Sequence, residues 1–107
     1  MGEEKVPFPL HLFISNQSGA LPLSDLEIIL DGRPIFHQEM ATGTQHNWEQ
    51  LTLPAAGKVT LSITETKTGA KKTEVVNVDR ELWVVVTFHG PPPHLKVERF
   101  DYPVAFM

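Results

Sequence analysis

Histidines are the side chains in this sequence best suited to chemistry, and there are five of them: His11, His37, His46, His89 and His94. A metal site needs three or four ligands that converge on one ion. No histidine pair has a recognised metal-ligand spacing, so we expect no bound metal and no cofactor. His37 and His46 could face each other across the loop around Gly43, and His11 could join them from a neighbouring strand. These three histidines are the candidates for a metal or hydrolytic site.

A second group of chemically useful residues occupies the segment Gln45-His46-Asn47-Trp48-Glu49-Gln50. Trp48 shares a strand face with His46 and Gln50. An aromatic plane beside amide and imidazole donors could hold a sugar ring, and tryptophan is also a frequent interface anchor. In the alternative, Trp48 fills the core and its polar neighbours cap the strand end. The candidate ligand-binding residues are therefore His46, Asn47, Trp48 and Gln50.

Patterns that indicate catalysis do not occur in the sequence. A hydrolytic triad needs a nucleophile beside a base, yet no serine lies in a Gly-x-Ser-x-Gly elbow. The glycines are isolated, so a phosphate-binding loop is also missing. We therefore expect no catalytic residues and no enzymatic activity.

Composition and charge exclude several further classes. The 107 residues suit one domain, and 13 acidic against 9 basic residues give a net charge of −4. Nucleic-acid binding needs a basic face, and none is indicated. No apolar run is long enough to span a bilayer. Cysteine is absent, which suits the cytoplasm, or the cell envelope or secretion if a leader was removed.

Short alternating apolar runs separated by turn residues indicate an all-β chain. We predict a flexible tail over residues 1–6 and one β-sandwich domain over residues 7–107. Two turn signals define its pattern: Asp31-Gly32 after the run Leu26 to Leu30, and Gly57 before the run Val59 to Ile63. The predicted strands cover residues 8–15, 26–30, 35–40, 45–53, 59–66, 72–78 and 82–89, with late strands at 95–100 and 104–106. An antiparallel sandwich of seven to nine strands follows.

The predicted strand over residues 82–89 reads Leu-Trp-Val-Val-Val-Thr-Phe-His and is apolar on both faces. Such a strand is central and covered on both sides, or one of its faces meets a partner. A homodimer is one form that this partner could take. Trp83 lies between Leu82 and Val84, and we expect it in the core.

Two strings resemble parts of known accessory domains. The strand–Asp31-Gly32–strand unit and the string Leu53-Pro54-Ala55-Ala56-Gly57-Lys58-Val59-Thr60-Leu61 are similar to those of carboxypeptidase-regulatory-like and collagen-adhesin-B-type domains. The resemblance covers roughly residues 24–88. It implies a prealbumin-like or immunoglobulin-like sandwich.

Two other strings, Ile14-Ser15-Asn16-Gln17-Ser18 and Gln45-His46-Asn47-Trp48, look like those of a small uncharacterised bacterial family with such a sandwich. One enzyme of the wider fold group is the transthyretin-like hydrolase of hydroxyisourate. The resemblance to it does not extend to the Tyr-Arg-Gly-Ser terminus of that enzyme, because this chain ends Tyr102-Pro103-Val104-Ala105-Phe106-Met107. The expected function is a non-catalytic binding or protein-interaction module, with an unknown protein or glycan as its partner. A carbohydrate or small-molecule binder using Trp48 is the first alternative, and a metal-binding or hydrolytic protein is the second.

Overall fold

A computed structural model describes residues 6–19, 21–42 and 48–103 of the chain. These residues contain eight strands: β1 (Phe8–Asn16), β2 (Leu23–Leu30), β3 (Arg33–Ala41), β4 (Glu49–Ala55), β5 (Gly57–Glu65), β6 (Ala70–Val78), β7 (Leu82–His89) and β8 (His94–Phe100). The prediction of an all-β chain is confirmed. Within the described part of the chain, no helix has the length and hydrophobicity needed to traverse a lipid bilayer.

The strands form a sandwich of two four-stranded sheets. Their orders are β4-β1-β7-β8 and β3-β2-β5-β6. Every pairing is antiparallel except that of β1 with β7, which run parallel at the centre of the first sheet. The predicted fold class is therefore confirmed, and the strand over residues 82–89 does occupy a central position.

The core lies between the two sheets and follows the alternation of the sequence. In β2, Leu26, Ile28 and Leu30 point inwards, and the residues between them are only half-buried. Because side chains alternate along an extended strand, a period of two places every second residue on the core side. The two central strands of the first sheet also place every second residue in the core. These residues are Leu10, Leu12 and Ile14 from β1, and Leu82, Val84, Val86 and Phe88 from β7.

Two turns, one of them the predicted turn at Asp31-Gly32, have the backbone geometry that their residues favour. Asp31 and Gly32 both have positive φ, 49° and 81°, and they connect β2 to β3. This is the conformation of the tight hairpin turns that Asp-Gly pairs favour. Gly69, with φ of 79°, plays the same part between β5 and β6.

The stretch from Pro54 to Gly57 differs from the hairpin turn that the sequence suggests. Pro54 and Ala55 belong to β4, and Gly57 already belongs to β5. These strands lie in different sheets, so the chain crosses from one layer to the other at Ala56. The positive φ of Gly57, 70°, allows that abrupt change of direction. The same types of residue suit a crossover and a hairpin turn, so the sequence pattern could not show that this turn joins two different sheets.

Of the predicted fourth strand over residues 45–53, the structure shows the part from Glu49 onwards, and β4 continues to Ala55. Trp48 precedes the strand. Residues 45–47 lie outside the described residues, as do residues 1–5 of the predicted tail and the predicted late strand over residues 104–106.

Asn16 fastens the end of β1 to the second sheet. Its side chain is completely buried. The amide nitrogen donates to the carbonyl oxygens of Leu21 and Met40, each at 3.0 Å. Its Oδ1 accepts from the backbone nitrogen of Ser18 at 2.9 Å. Buried polar groups need hydrogen-bond partners. The Asn16 side chain is the partner of two carbonyl oxygens and one backbone nitrogen at the point where the two sheets meet.

Candidate functional site

The outer face of the β4-β1-β7-β8 sheet carries the candidate site. Residues that pair directly across neighbouring strands point to the same side of a sheet. The register therefore places two rows of four residues on this surface, which we call the histidine–aromatic face: Thr52, His11, Trp83 and Phe100, and next to them Gln50, Phe13, Val85 and Glu98.

His11 lies at the centre of the first row and is held on three sides. Its ring stacks on Trp83, with 5.1 Å between the ring centroids and 18° between the planes. Nε2 donates to Oε2 of Glu81 at 2.6 Å, because a carboxylate can only accept. Nδ1 lies 2.8 Å from the hydroxyl oxygen of Thr52. These contacts fix the orientation of the imidazole and of the indole beside it.

Phe13 and Val85 are neighbours in the second row and are apolar. Each is less than a tenth exposed, yet neither belongs to the core cluster between the sheets. Their low exposure shows that other parts of the chain cover them on this side of the sheet. The double-sided apolar character of β7 therefore arises from one face that forms the core and one face that points away from it.

Trp83 does not lie in the core, where we expected it. Trp83 is half-buried, and alternation along β7 turns it to the outer face while Leu82 and Val84 enter the core. The sequence could not separate the two faces of β7, because both are apolar. Trp48 immediately precedes β4 and is also half-buried.

Of the other candidate ligand-binding residues, Gln50 is exposed and belongs to the histidine–aromatic face. His46 and Asn47 lie outside the described residues. The grouping of Trp48 and Gln50 with these two residues therefore remains a prediction.

The structure places His11 and His37 in different sheets, on β1 and β3. Nε2 of His37 lies 3.0 Å from Oδ2 of Asp25, and Nδ1 lies 3.8 Å from Oε2 of Glu27. The hydrogen bond and the charge of Asp25 raise the pKa of His37 above its ordinary value of 6.5. In residues 6–19, 21–42 and 48–103, no group of three or more histidine, cysteine or acidic side chains could hold a metal ion.

Sequence reasoning missed Thr52 and Glu81, the two hydrogen-bond partners of His11. They lie 41 and 70 positions away from it along the chain, so no local motif could connect them. Hydroxyl, imidazole and carboxylate follow one another here in the order that hydrolases use for nucleophile, base and orienting group. In this arrangement, Glu81 sets the tautomer of the ring, and Thr52 and Trp83 hold it in place.

A second pair of histidines lies at the end of the same sheet. His89 and His94 are paired across β7 and β8, and their rings stack with centroids 5.3 Å apart. Burial lowers the pKa of His89, and the positive charges of His94 and Lys96 lower it further. The sequence analysis did not predict the contact between the two rings.

The outer face of the other sheet is polar by comparison. Its central strand β5 presents Thr60, Ser62 and Thr64 there, because Val59, Leu61 and Ile63 point to the core. Val75 of β6 pairs with Thr60 and is an exposed apolar residue on the same face. The stacked rings of His11 and Trp83 are what make the histidine–aromatic face the candidate for binding.

Comparison with known proteins supports the fold. No protein-family model matches the sequence, and no curated protein matches it. A solved structure from Bacteroides ovatus ATCC 8483, described as a "putative cell adhesion protein", is similar in fold, with a TM-score of 0.50 and 12% sequence identity. The similarity covers 94% of this chain but 46% of that one, so this chain corresponds to about half the length of its structural neighbour. At this identity, the likeness extends to the fold alone.

Proposed function

We propose that this protein is a non-catalytic binding module that recognises a protein partner through the histidine–aromatic face. The observation that carries the proposal is the position of Trp83 and His11, which are stacked and half-buried on the outer face of the first sheet. Tryptophan is enriched among the residues that contribute most to protein interfaces. A side chain already held in one orientation also loses little entropy on binding.

The type of sandwich is part of this proposal. In an immunoglobulin constant domain, the second and third strands lie in different sheets. Here β2 and β3 form a hairpin within one sheet. Of the two sandwich types that the sequence resembles, we therefore propose the prealbumin-like one.

The structural neighbour favours a protein partner over a small substrate. Its description refers to cell adhesion, and adhesion requires recognition of another molecule rather than its conversion. An accessory domain with this role would act at the cell envelope or outside the cell. We propose that localisation with the function.

Two variants test the proposal, and each introduces one bulky charge on one of the two outer faces of the sandwich. Gln50→Arg alters the exposed edge of the histidine–aromatic face, and Thr73→Arg is the matched change on the opposite sheet, where Thr73 is also exposed. Sedimentation of the purified protein shows whether a second copy is the partner. Capture from an extract of the source organism, followed by calorimetry with each purified retained protein, tests other partners.

We expect the parent and Thr73→Arg to bind the partner, and we expect Gln50→Arg to bind it more weakly by about tenfold or more. Equal binding by all three proteins would contradict the proposed surface. If the parent binds neither a second copy nor any protein of the extract, a protein partner is excluded.

Carbohydrate binding at Trp48 is the second candidate function, because Trp48 lies two residues before Gln50, an exposed member of the histidine–aromatic face. A glycan array that compares the parent with Trp48→Ala tests it. Trp48→Phe is the matched control because it keeps an aromatic plane. Binding that survives in Trp48→Phe but not in Trp48→Ala would support this function, and equal binding by both would exclude it.

A further inference from the structure

A cleft lies at the open edge of the sandwich where β6 and β8 approach each other. Its volume is about 420 Å³, and its walls are Asn77, Leu82, Arg99, Phe100, Asp101 and Tyr102. Pockets for small ligands commonly have volumes of roughly 300–1,000 Å³. The cleft is therefore large enough for a small molecule, and it combines apolar walls with a few polar groups, as such sites do.

Two aromatic rings form one wall of the cleft. Phe100 and Tyr102 meet edge to face, with ring centroids 5.4 Å apart and planes at 66°. Tyr102 is 58% exposed, so its ring is accessible to a ligand. Aromatic faces of this kind suit a flat ligand surface that is apolar but carries polar groups at its rim.

The polar groups of the cleft complement each other in hydrogen bonding. The Asp101 carboxylate can only accept, the Arg99 guanidinium can only donate, and the Asn77 amide does both. Arg99 already donates to the carbonyl of Val75 at 3.4 Å, which leaves its other N–H groups available. A ligand that satisfies all three groups must present donors and acceptors together, which hydroxyl groups do.

The charged groups of the cleft have opposite signs. A ligand with a single charge would be attracted by one of Asp101 and Arg99 and repelled by the other, whereas a neutral ligand can hydrogen-bond to both. Oδ2 of Asp101 lies 3.6 Å from Nη1 of Arg80, a separation that leaves it free to accept from a ligand. A neutral ligand rich in hydroxyl groups, with one apolar face, fits these conditions.

We propose that this cleft binds the ring of a neutral carbohydrate, with Tyr102 against the apolar C–H face of a pyranose and Asp101 and Asn77 at its hydroxyl groups. This site is separate from the Trp48 segment, and it goes beyond the protein-binding role proposed for the histidine–aromatic face. It adds a second ligand class to the same domain.

Saturation-transfer NMR tests the proposal with the methyl glycosides of glucose, mannose, galactose and N-acetylglucosamine as probes. The variants are Tyr102→Ala and Asp101→Asn, both at exposed positions beyond the last described strand. Asp79→Asn is the matched control because Asp79 is equally exposed but does not line the cleft. Trp48→Ala separates this site from the other carbohydrate candidate.

We expect at least one glycoside to bind the parent, Asp79→Asn and Trp48→Ala alike. We expect its affinity to fall by about tenfold or more in Tyr102→Ala and Asp101→Asn. Circular dichroism establishes that each variant is folded. The proposal is overturned if no glycoside binds the parent, if the two cleft variants bind as the parent does, or if only Trp48→Ala loses binding. None of these results affects the Gln50→Arg test of the protein-binding face.

Discussion

The backbone nitrogen of Asp25 donates to Oε2 of Glu65 at 2.6 Å, and this carboxylate is completely buried. The other oxygen, Oε1, accepts from the backbone nitrogen and the hydroxyl group of Thr68 at 2.7 and 2.9 Å. Glu65 therefore joins the β5–β6 turn to the start of β2. Burial acts to raise the pKa of Glu65, but the hydrogen bonds outweigh it and hold the pKa below its ordinary value of 4.5.

The substitution Glu65→Gln should destabilise the fold by about 1–3 kcal/mol, because an amide NH₂ group cannot accept the hydrogen bonds that one carboxylate oxygen now accepts. Urea unfolding followed by circular dichroism measures the change. Glu98→Gln is the control, since Glu98 is exposed on β8. Equal midpoints for the two variants would show that the buried carboxylate adds nothing to stability.

Acid should remove the contribution of Glu65. A carboxylate with a lowered pKa in the folded state stabilises the fold above its unfolded pKa, and the effect disappears as the pH falls through the folded value. The parent should therefore lose stability progressively below about pH 4.5. Unfolding midpoints measured across this range should fall less steeply for Glu65→Gln. Parallel curves would be inconsistent with the expected pKa.

The substitution Asn16→Asp should be strongly destabilising although the two side chains have the same shape. A carboxylate cannot donate to the carbonyls of Leu21 and Met40, and buried acceptors without donors cost about 1–3 kcal/mol each. Thermal unfolding at neutral pH measures the loss. Asn77→Asp, at an exposed position of β6, should change stability by no more than about 0.5 kcal/mol. A similar small change for Asn16→Asp would contradict the role of Asn16 in joining the sheets.

The substitution Gly32→Ala should cost about 1–2 kcal/mol, since φ of 81° is unfavourable for a residue with a Cβ. No heavy atom lies within 4 Å of the added Cβ, so the effect would come from the backbone alone. Gly19→Ala provides the comparison, because its Cβ would make only an ordinary contact of 3.9 Å with the carbonyl of Gly90. Chemical denaturation of both variants should show a loss at Gly32 and little change at Gly19. The reverse order would exclude a turn with positive φ.

The pKa of His37 should lie above 6.5 and that of His89 below it, and one NMR titration measures both. His37 keeps its proton to higher pH because Asp25 accepts its hydrogen bond, and His89 loses its proton at lower pH because it is partly buried next to His94. Asp25→Asn should return the pKa of His37 towards 6.5 and leave that of His89 unchanged. Ring-proton shifts followed from pH 4 to 9, a range of about two to three pH units on either side of the ordinary histidine value, measure both. If the pKa of His37 is unchanged in Asp25→Asn, Asp25 is excluded as the cause of its raised value.

Much of the fold could be read from local patterns. The alternation of Leu26, Ile28 and Leu30 and the pair Asp31-Gly32 act over a few residues, so their outcome does not depend on the rest of the chain. The role of Gly57 depends on which sheet the next strand joins. That choice is made by contacts far along the chain, and the sequence therefore suggested a hairpin where the structure has a crossover.

The candidate site was predictable only in part. The apolar character of β7 on both faces indicated a surface that could meet a partner, and Gln50 and His11 were among the candidate residues. The sequence could not show that Trp83 leaves the core, because neither face of β7 is polar. It also could not bring Thr52 and Glu81 to His11, because side chains so distant along the chain meet only through strand pairing.

The sequence by itself determined most of the strands, the turn at Asp31-Gly32 and the class of fold, because hydrophobic periodicity and backbone preferences are local properties. The tertiary structure alone decided which strands became neighbours. The parallel pairing of β1 with β7 stacks His11 on Trp83, and the approach of β6 to β8 forms the cleft. Both candidate surfaces therefore arise from the packing of distant segments, for which no local sequence signal exists.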